Sequence, residues 1–393
     1  MNDDSRRLLA LSTFHSINDG SLAVFTSALP VMRLALGLTF VEIGTILGLG
    51  LVATMSLQLL FGSLSDQGHT RCIMILGFAG IVAVDLMFPI SSVFIQVLVF
   101  YVLLRSAAAV YHPVSFASIG RTYERKTTAF GYQGAIGDLG LTVGTFSTGI
   151  LSQAWGWRLP FWVWGGIGVI LFGYFTVTII RHRVRFYAQA NTQPSKPDND
   201  PGNLKPLRSA FAVIAIVSSI TTATFILFTG YMPLYFNIAE GLSPADSTAI
   251  VAAWIGIGVF AGVMTGRVVC RLGGEPRALQ LAFGIEALLF LTANVVLYWG
   301  FAASSGQIIR YLVIVLSGVP VFITFPAVNG LLGLRMPHRR LGLAYAMNLS
   351  LGLMVASVAT FLTGYLSSIM SVAVTLPILL IIAILGAAAS LRL

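Results

Sequence analysis

Twelve long apolar runs follow one another through this chain of 393 residues, and they restrict the fold more than any other feature. They cover residues 8–32, 40–62, 72–90, 94–118, 128–152, 159–180, 208–236, 245–268, 278–300, 307–331, 341–366 and 371–391. A helix needs about 20 mainly apolar residues to cross a hydrocarbon layer. No water inside that layer satisfies backbone groups, so a span closes its hydrogen bonds within a helix or a barrel. The runs are continuous and do not alternate every second residue, which excludes membrane β-strands. The prediction is an all-α membrane protein of twelve transmembrane helices. Charged residues make up only 9% of the chain, whereas soluble domains carry about 25%.

The connections are short except at residues 181–207. That stretch is basic at Arg181, Arg183 and Arg185, then rich in Pro, Asn and Asp, as in a flexible linker. It divides an N-terminal six-helix bundle (1–185) from a C-terminal one (208–393), with the linker at 186–207. The halves share landmarks. Leu38-Thr39-x-x-Glu42 returns as Leu242-Ser243-x-x-Asp246, each reading as an N-cap with an acidic residue three positions later. Pro30 and Pro233 close the preceding spans. Gly62…Asp66 is echoed by Gly266…Cys270, and Tyr111-His112-Pro113 by Thr324-Phe325-Pro326. Two pseudo-symmetric bundles of this kind hold a substrate at their interface near the midplane, and rocking of the halves gives alternating access.

The formal charge is +9. Of the 23 Lys and Arg residues, Arg105 and Arg310 lie inside apolar runs and Arg33 and Arg158 lie in loops of one side; the rest fall on the other side. Basic residues accumulate on the cytoplasmic face, so both termini are expected in the cytoplasm of a multi-pass cell (plasma or inner) membrane protein. Scattering over loops argues against nucleic-acid binding. Cys72 and Cys270 lack metal-ligand spacing and read as plain thiols. The first run is too long and too polar for a cleaved signal peptide. No Gly-x-x-x-x-Gly-Lys loop supplies ATP drive, and no nucleophile–base pair suggests an enzyme. No cofactor is expected.

Ionisable groups inside the spans are the candidates for chemistry, since a charge at bilayer depth costs about 3 kcal/mol or more. His15, Asn18 and Asp19 interrupt span 1, and His15 and Asp19 share a helix face. Such a patch faces a cavity or serves only to join helices. Arg105 in span 4 cannot shed its charge and needs a carboxylate or an anionic substrate. His112 stands seven residues later, before a proline that loosens the helix, and can carry protons or bond across helices. No second His or Cys lies at ligand spacing in its span, so no metal site is expected. Asp138 sits in span 5 among Gly131, Gly134, Gly137, Gly140 and Gly144, as a second proton site or a polar contact between halves. Gln133, Asn329, Tyr345 and Asn348 complete the expected substrate pocket. Arg310, Asp85, Glu42, Glu240 and Asp246 are read as snorkelling near outer helix ends. Glu286 in span 9 has no assigned role.

Gly62-Ser-Leu-Ser-Asp66-Gln-Gly68-His-Thr-Arg71 resembles the loop 2–3 signature of the major facilitator superfamily, with Gln67, His69 and Thr70 departing from its basic pattern. His15-x-x-Asn18-Asp19, Val110-Tyr-His112-Pro113 and the glycine-rich start of span 5 resemble the fosmidomycin-resistance branch of drug exporters. Asp138 departs from that branch, where Asn looks usual, and Thr145 replaces the proline of the antiporter Gly-Pro pair. Ala108 and Ala109 stand where the antiporter span 4 motif has Gln and Gly. The resemblance implies the two-bundle fold, with spans 1 and 4 lining one cavity and Asp19 as the partner of Arg105. It also implies a cytoplasmic gate of Gly62, Asp66, Gly68 and Arg71, with Arg121 and Arg125, or the N-terminus of span 11, as latch partners of Asp66. The expected function is proton-coupled export of a small organic molecule, anionic or drug-like, by a monomer. Asp19, His112 and Asp138 would carry protons, and His15, Asn18, Asp19, Arg105 and His112 would meet the substrate. The alternatives are uptake symport of an organic acid, and a transporter-fold sensor or scaffold.

Overall fold

The computed structural model describes residues 3–181, 204–298, 304–336 and 341–393. The first half contains α1 (Asp3–Leu36), α2 (Phe40–Asp66), α3 (Thr70–Met87), α4 (Phe94–Ala108), α5 (Tyr111–Thr122), α6 (Lys126–Trp155) and α7 (Leu159–Arg181). The second contains α8 (Leu204–Leu234), α9 (Pro244–Leu272), α10 (Glu275–Tyr298), α11 (Ser304–Leu316), α12 (Gly318–Arg335), α13 (Leu341–Ile369) and α14 (Thr375–Ser390). Every predicted span has its helix, and two spans are built from two pieces each, α4 with α5 and α11 with α12. The expected linker lies outside the described residues except at 204–207, where α8 has already begun.

The predicted helix starts take the form their side chains allow. Thr39 caps α2 in a full capping box, its hydroxyl accepting from the Glu42 N–H while the Glu42 carboxylate accepts from the Thr39 N–H at 2.8 Å. Ser243 caps α9, accepting from the Asp246 N–H at 3.1 Å. Glu42 and Asp246 are therefore capping residues, and snorkelling is not their role. Gly68 turns the chain between α2 and α3 at φ 92°, a conformation that disfavours any side chain with a Cβ.

The paired pieces break where proline withdraws a backbone donor. Pro113 cannot donate to the Ala109 carbonyl, and α4 ends at Ala108. Pro320 cannot donate to the Leu316 carbonyl, and α11 ends there. Pro326 lies inside α12 without ending it. Pro113 and Pro326, paired by sequence, stand at the same distance from the ends of α5 and α12, whereas the break of the second half falls at Pro320.

Ten segments are long and apolar enough to cross a membrane among the described residues. The two that fall short are α1 and α6. These hold His15, Asn18, Asp19, Gln133 and Asp138, so their polarity is what excludes them.

The halves meet along two seams. In one, α2 packs on α13, where Ser357 Oγ donates to the Gly48 carbonyl at 2.9 Å and Ser350 Oγ to the Met55 carbonyl at 2.8 Å. In the other, α6 packs on α9, with Gly131 against Gly262 and Gly266 against Thr128. Contacts between halves occur at both ends of α6. Thr127 Oγ1 donates to Glu275 Oε1 at 2.8 Å near its start, and Gln153 Oε1 accepts from the Ala245 N–H at 3.0 Å near its finish. The Gly140-x-x-x-Gly144 stripe is a close-packing face, as its spacing predicts, and it lies on Ser16 and Gly20 of α1. A Cβ at Gly140 would run into the Ser16 backbone, which has no room to retreat. Gly140→Ala should therefore destabilise the protein by about 1–3 kcal/mol in detergent unfolding, while Gly166→Ala, which meets nothing within 4 Å, should be neutral.

Candidate functional site

A cavity of about 180 Å³ lies between the halves, walled by α1, α2, α4, α5 and α6 on one side and α8, α9, α12 and α13 on the other. His15, Asn18, Asp19, Arg105, His112, Gln133, Asp138 and Asn329 all line it. The kink between α4 and α5 does not separate Arg105 from His112; both face the same space.

The closest constellation is built around Asp19. Its Oδ2 lies 3.0 Å from His15 Nε2, and its Oδ1 lies 3.6 Å from His112 Nε2. Asn18 Nδ2 donates to Oδ1 at 2.7 Å. The His15 ring stacks on Tyr111 at 4.6 Å between centroids and meets the His112 ring edge-on at 5.4 Å. This is possible because α6 carries Gly137, where a Cβ would strike the imidazole.

Gln133 gives His15 two ways to be satisfied. Its backbone carbonyl and its side-chain Nε2 both lie 3.0 Å from His15 Nδ1. A protonated Nδ1 donates to the carbonyl; a bare Nδ1 accepts from the amide. In either state Nε2 still donates to Asp19, so a proton can come and go without leaving a buried polar atom unpaired. Gln133 Nε2 also donates to the Tyr111 hydroxyl at 2.5 Å.

The expectation that no metal site exists rested on spacing within one span. The fold draws donors from two, and ligand atoms of His15, Asp19 and His112 lie within 4.8 Å of one another. The carboxylate of this set already serves two imidazoles and Asn18, and a cation would have to replace those contacts.

Arg105 departs from its expected pairing. The carboxylate of Asp19 is held by the two histidines, and no carboxylate among the described residues lies within 4.0 Å of the guanidinium. Arg105 is 6% exposed, and its Nε has no hydrogen-bond partner. Nearby on α2, Thr54 Oγ1 donates to the Arg105 backbone carbonyl at 3.1 Å, and Gln58 Oε1 is buried without a partner.

Tyr345 and Asn348 do not line the cavity. Tyr345 packs between Phe116 and Phe130 and donates to the Asn329 carbonyl at 2.9 Å, so it closes the cavity floor. Asn348 Nδ2 is turned to Ser218 Oγ at 2.8 Å on α8. Spacing put both on the right helix; the rotation of α13 against α8 points them away. Tyr231 and Trp254 are likewise core, whereas Phe325 lines the wall.

Three groups read as snorkelling are instead buried. Asp85 is wholly enclosed and accepts from Ser21 Oγ at 2.5 Å, because α3 is packed by α1, α4 and α7. Arg310 pairs with Glu240, which also accepts from Tyr235 at 2.7 Å and Tyr311 at 3.2 Å. Glu286 is 1% exposed within the second half and lies off the cavity.

The gate residues lie apart from the cavity, around the junction of α2 with α3 and the adjoining junction of α5 with α6. Helix direction places these at the same end of the bundle as the start of α10. The side chain of Asp66 lies outside the described residues, and Arg125 is an exposed cap residue of α6. Glu275, which sequence reasoning missed, makes the described link between the halves at this end. It follows the paired Gly273 and Gly274, a helix-stop signal that marked the position but not its partner.

The Major Facilitator Superfamily profile matches residues 9–352. The chain belongs to this superfamily. It is a multi-pass membrane transporter that works by alternating access between two helical bundles. Solved structures of similar shape include the human organic anion transporter MFSD10 (TETRAN), at TM-score 0.71 and 11% identity, covering 99% of this chain and 100% of that one. A bacterial homolog to the human lysosomal transporter Spinster is similar in two inward-facing conformations. The occupied one gives TM-score 0.73 over 100% of this chain and 98% of that one, at 15% identity. The unoccupied one gives 0.75 over 99% and 97%, at 15% identity. At these identities the likeness is one of fold. No curated protein matches by sequence.

Cavity lining in this superfamily member is testable by thiol labelling, since both native cysteines are free and exposed. In a protein with Cys72 and Cys270 changed to Ser, Asn329→Cys should react with a small charged methanethiosulfonate at least tenfold faster than Asn348→Cys. Equal rates would mean that α13 presents a different face.

Proposed function

We propose that this transporter is driven by protons and exports a small organic molecule. The observation that carries this reading is the Asp19 carboxylate set between His15 and His112 on the cavity wall, with Gln133 able to match either state of His15. Imidazole is the side chain suited to taking up and releasing protons, and two of them stand beside one carboxylate here. A proton entering the cluster changes the charge of the wall that the cargo meets, which is the minimum that coupling requires. Asp138, on the same wall, is assigned as an auxiliary proton site.

The resemblance to the fosmidomycin-resistance branch supports export, because its residues His15, Asn18, Asp19 and His112 are those that converge here. Both termini are placed in the cytoplasm of a plasma or inner membrane, and the protein is taken to act as a monomer. The cytoplasmic gate then closes through Thr127 and Glu275 beside the Asp66 loop. Asp19 is not assigned as the partner of Arg105 in this reading, since its partners are histidines.

Proteoliposomes with an imposed pH gradient test the proposal. Wild-type protein should move cargo against its gradient when the compartment receiving cargo is the acidic one; the opposite sign would indicate uptake symport. Asp19→Asn should lose the response to the pH gradient while still exchanging cargo down its own gradient. Retention of full pH-dependent pumping by Asp19→Asn would refute proton coupling at this cluster.

A further inference from the structure

The titratable lining of the cavity comes entirely from the first half: His15, Asp19, Tyr101, Arg105, His112 and Asp138. The second half contributes no charge. Its wall carries the aromatic trio Phe225, Phe322 and Phe325, with Phe225 edge-on to the other two at 5.8 and 5.4 Å. Leu349 and Leu353 of α13 extend the apolar surface. The cavity is therefore charged on one face only, with this aromatic trio on the other.

On the polar face Asp19 is held by His15 and His112, whereas Arg105 has no carboxylate of its own within 4.0 Å among the described residues. A guanidinium cannot neutralise itself by losing a proton, and a buried charge without a partner is costly. Arg105 is more than nine-tenths buried, lines the cavity, donates no hydrogen bond and has no carboxylate within reach among the described residues. Its fork geometry suits a planar or tetrahedral oxyanion. Gln58, whose buried Oε1 also lacks a partner, and Thr54 stand on the facing turns of α2.

We infer that the cargo is an amphiphilic organic monoanion, its single acidic headgroup on Arg105 and its aromatic or branched apolar body against Phe225, Phe322 and Phe325. One guanidinium without a hydrogen-bonded carboxylate offers a place for one acidic headgroup. A second charge on the cargo would have to enter the uncharged wall of the other half. This deepens the transport reading and rests on it, since it names the cargo of the same cavity.

The test is equilibrium binding to purified full-length protein in nanodiscs at fixed pH, without any gradient. Three probes share one body and differ at the head: 4-phenylbutyrate, 4-phenylbutanol and 4-phenylbutylammonium. Inorganic phosphate and chloride serve as anions without a body. 4-Phenylbutyrate should bind at least tenfold more tightly than the alcohol or the amine, and neither inorganic ion should displace it at equal concentration. Arg105→Gln should lower its affinity at least tenfold and leave the alcohol unchanged, with Arg105→Lys in between. Phe225→Ala should weaken acid and alcohol alike. Melting curves of each variant separate loss of the site from loss of the fold. Preference for the amine, equal binding of the inorganic ions, or no loss in a folded Arg105→Gln would overturn the inference. So would failure of the acid to bind folded wild-type protein. Because no gradient is applied, a protein that binds the acid but shows no proton-driven transport would leave this inference standing and defeat the coupling proposal alone.

Discussion

The structure turns on a carboxylate that cannot be left bare inside a membrane protein. Asp19 is stabilised by His15 one helical turn back on α1 and by His112 on α5, and Asn18 supplies a further donor. Bringing these groups together demands that α1 approach α6 closely, which the Gly137, Gly140 and Gly144 face permits. The same approach places the Gln133 carbonyl and amide against His15. Close helix packing and the chemistry of the cavity are thus one constraint, because the glycines that seat the helix also seat the imidazole.

The two halves share a plan but not a role. Their helices, caps and proline kinks correspond, yet the charge on the cavity wall belongs to the first half alone. The second half keeps its buried charges away from the cavity, with Arg310 on Glu240 and Glu286 enclosed. An uncharged wall facing a charged one creates a directional environment for a bound molecule, and a change of protonation on one side alters it without rearranging the other. The seams between the halves fit relative motion, since they are made of small residues and hydroxyl-to-carbonyl bonds such as Ser357 to Gly48.

Much of this was legible in the sequence. Helix limits followed from run length, because hydrocarbon thickness sets the scale. The caps at Thr39 and Ser243 followed from local hydrogen-bonding. His15, Asp19, Arg105 and His112 stood out because ionisable residues are rare inside spans. Other features escaped for physical reasons. Asp85 looked peripheral by its place near a helix end, but neighbours from three helices enclose it. Tyr345 and Asn348 lie on a cavity helix, and only its rotation decides which side faces inward. Glu275 gave no sign of bridging the halves, because its partner Thr127 is in the other bundle.

By itself the sequence determined the all-helical membrane fold and the ionisable residues that interrupt spans 1, 4 and 5, since each follows from local composition and chain order. Which of those residues touch was decided by tertiary structure alone. Asp19 had Arg105 and two histidines as possible partners, and spacing along the chain cannot rank contacts between separate helices. The packing of α1 against α6 and the kink before Pro113 gave Asp19 to the histidines and left Arg105 facing the cavity without a carboxylate.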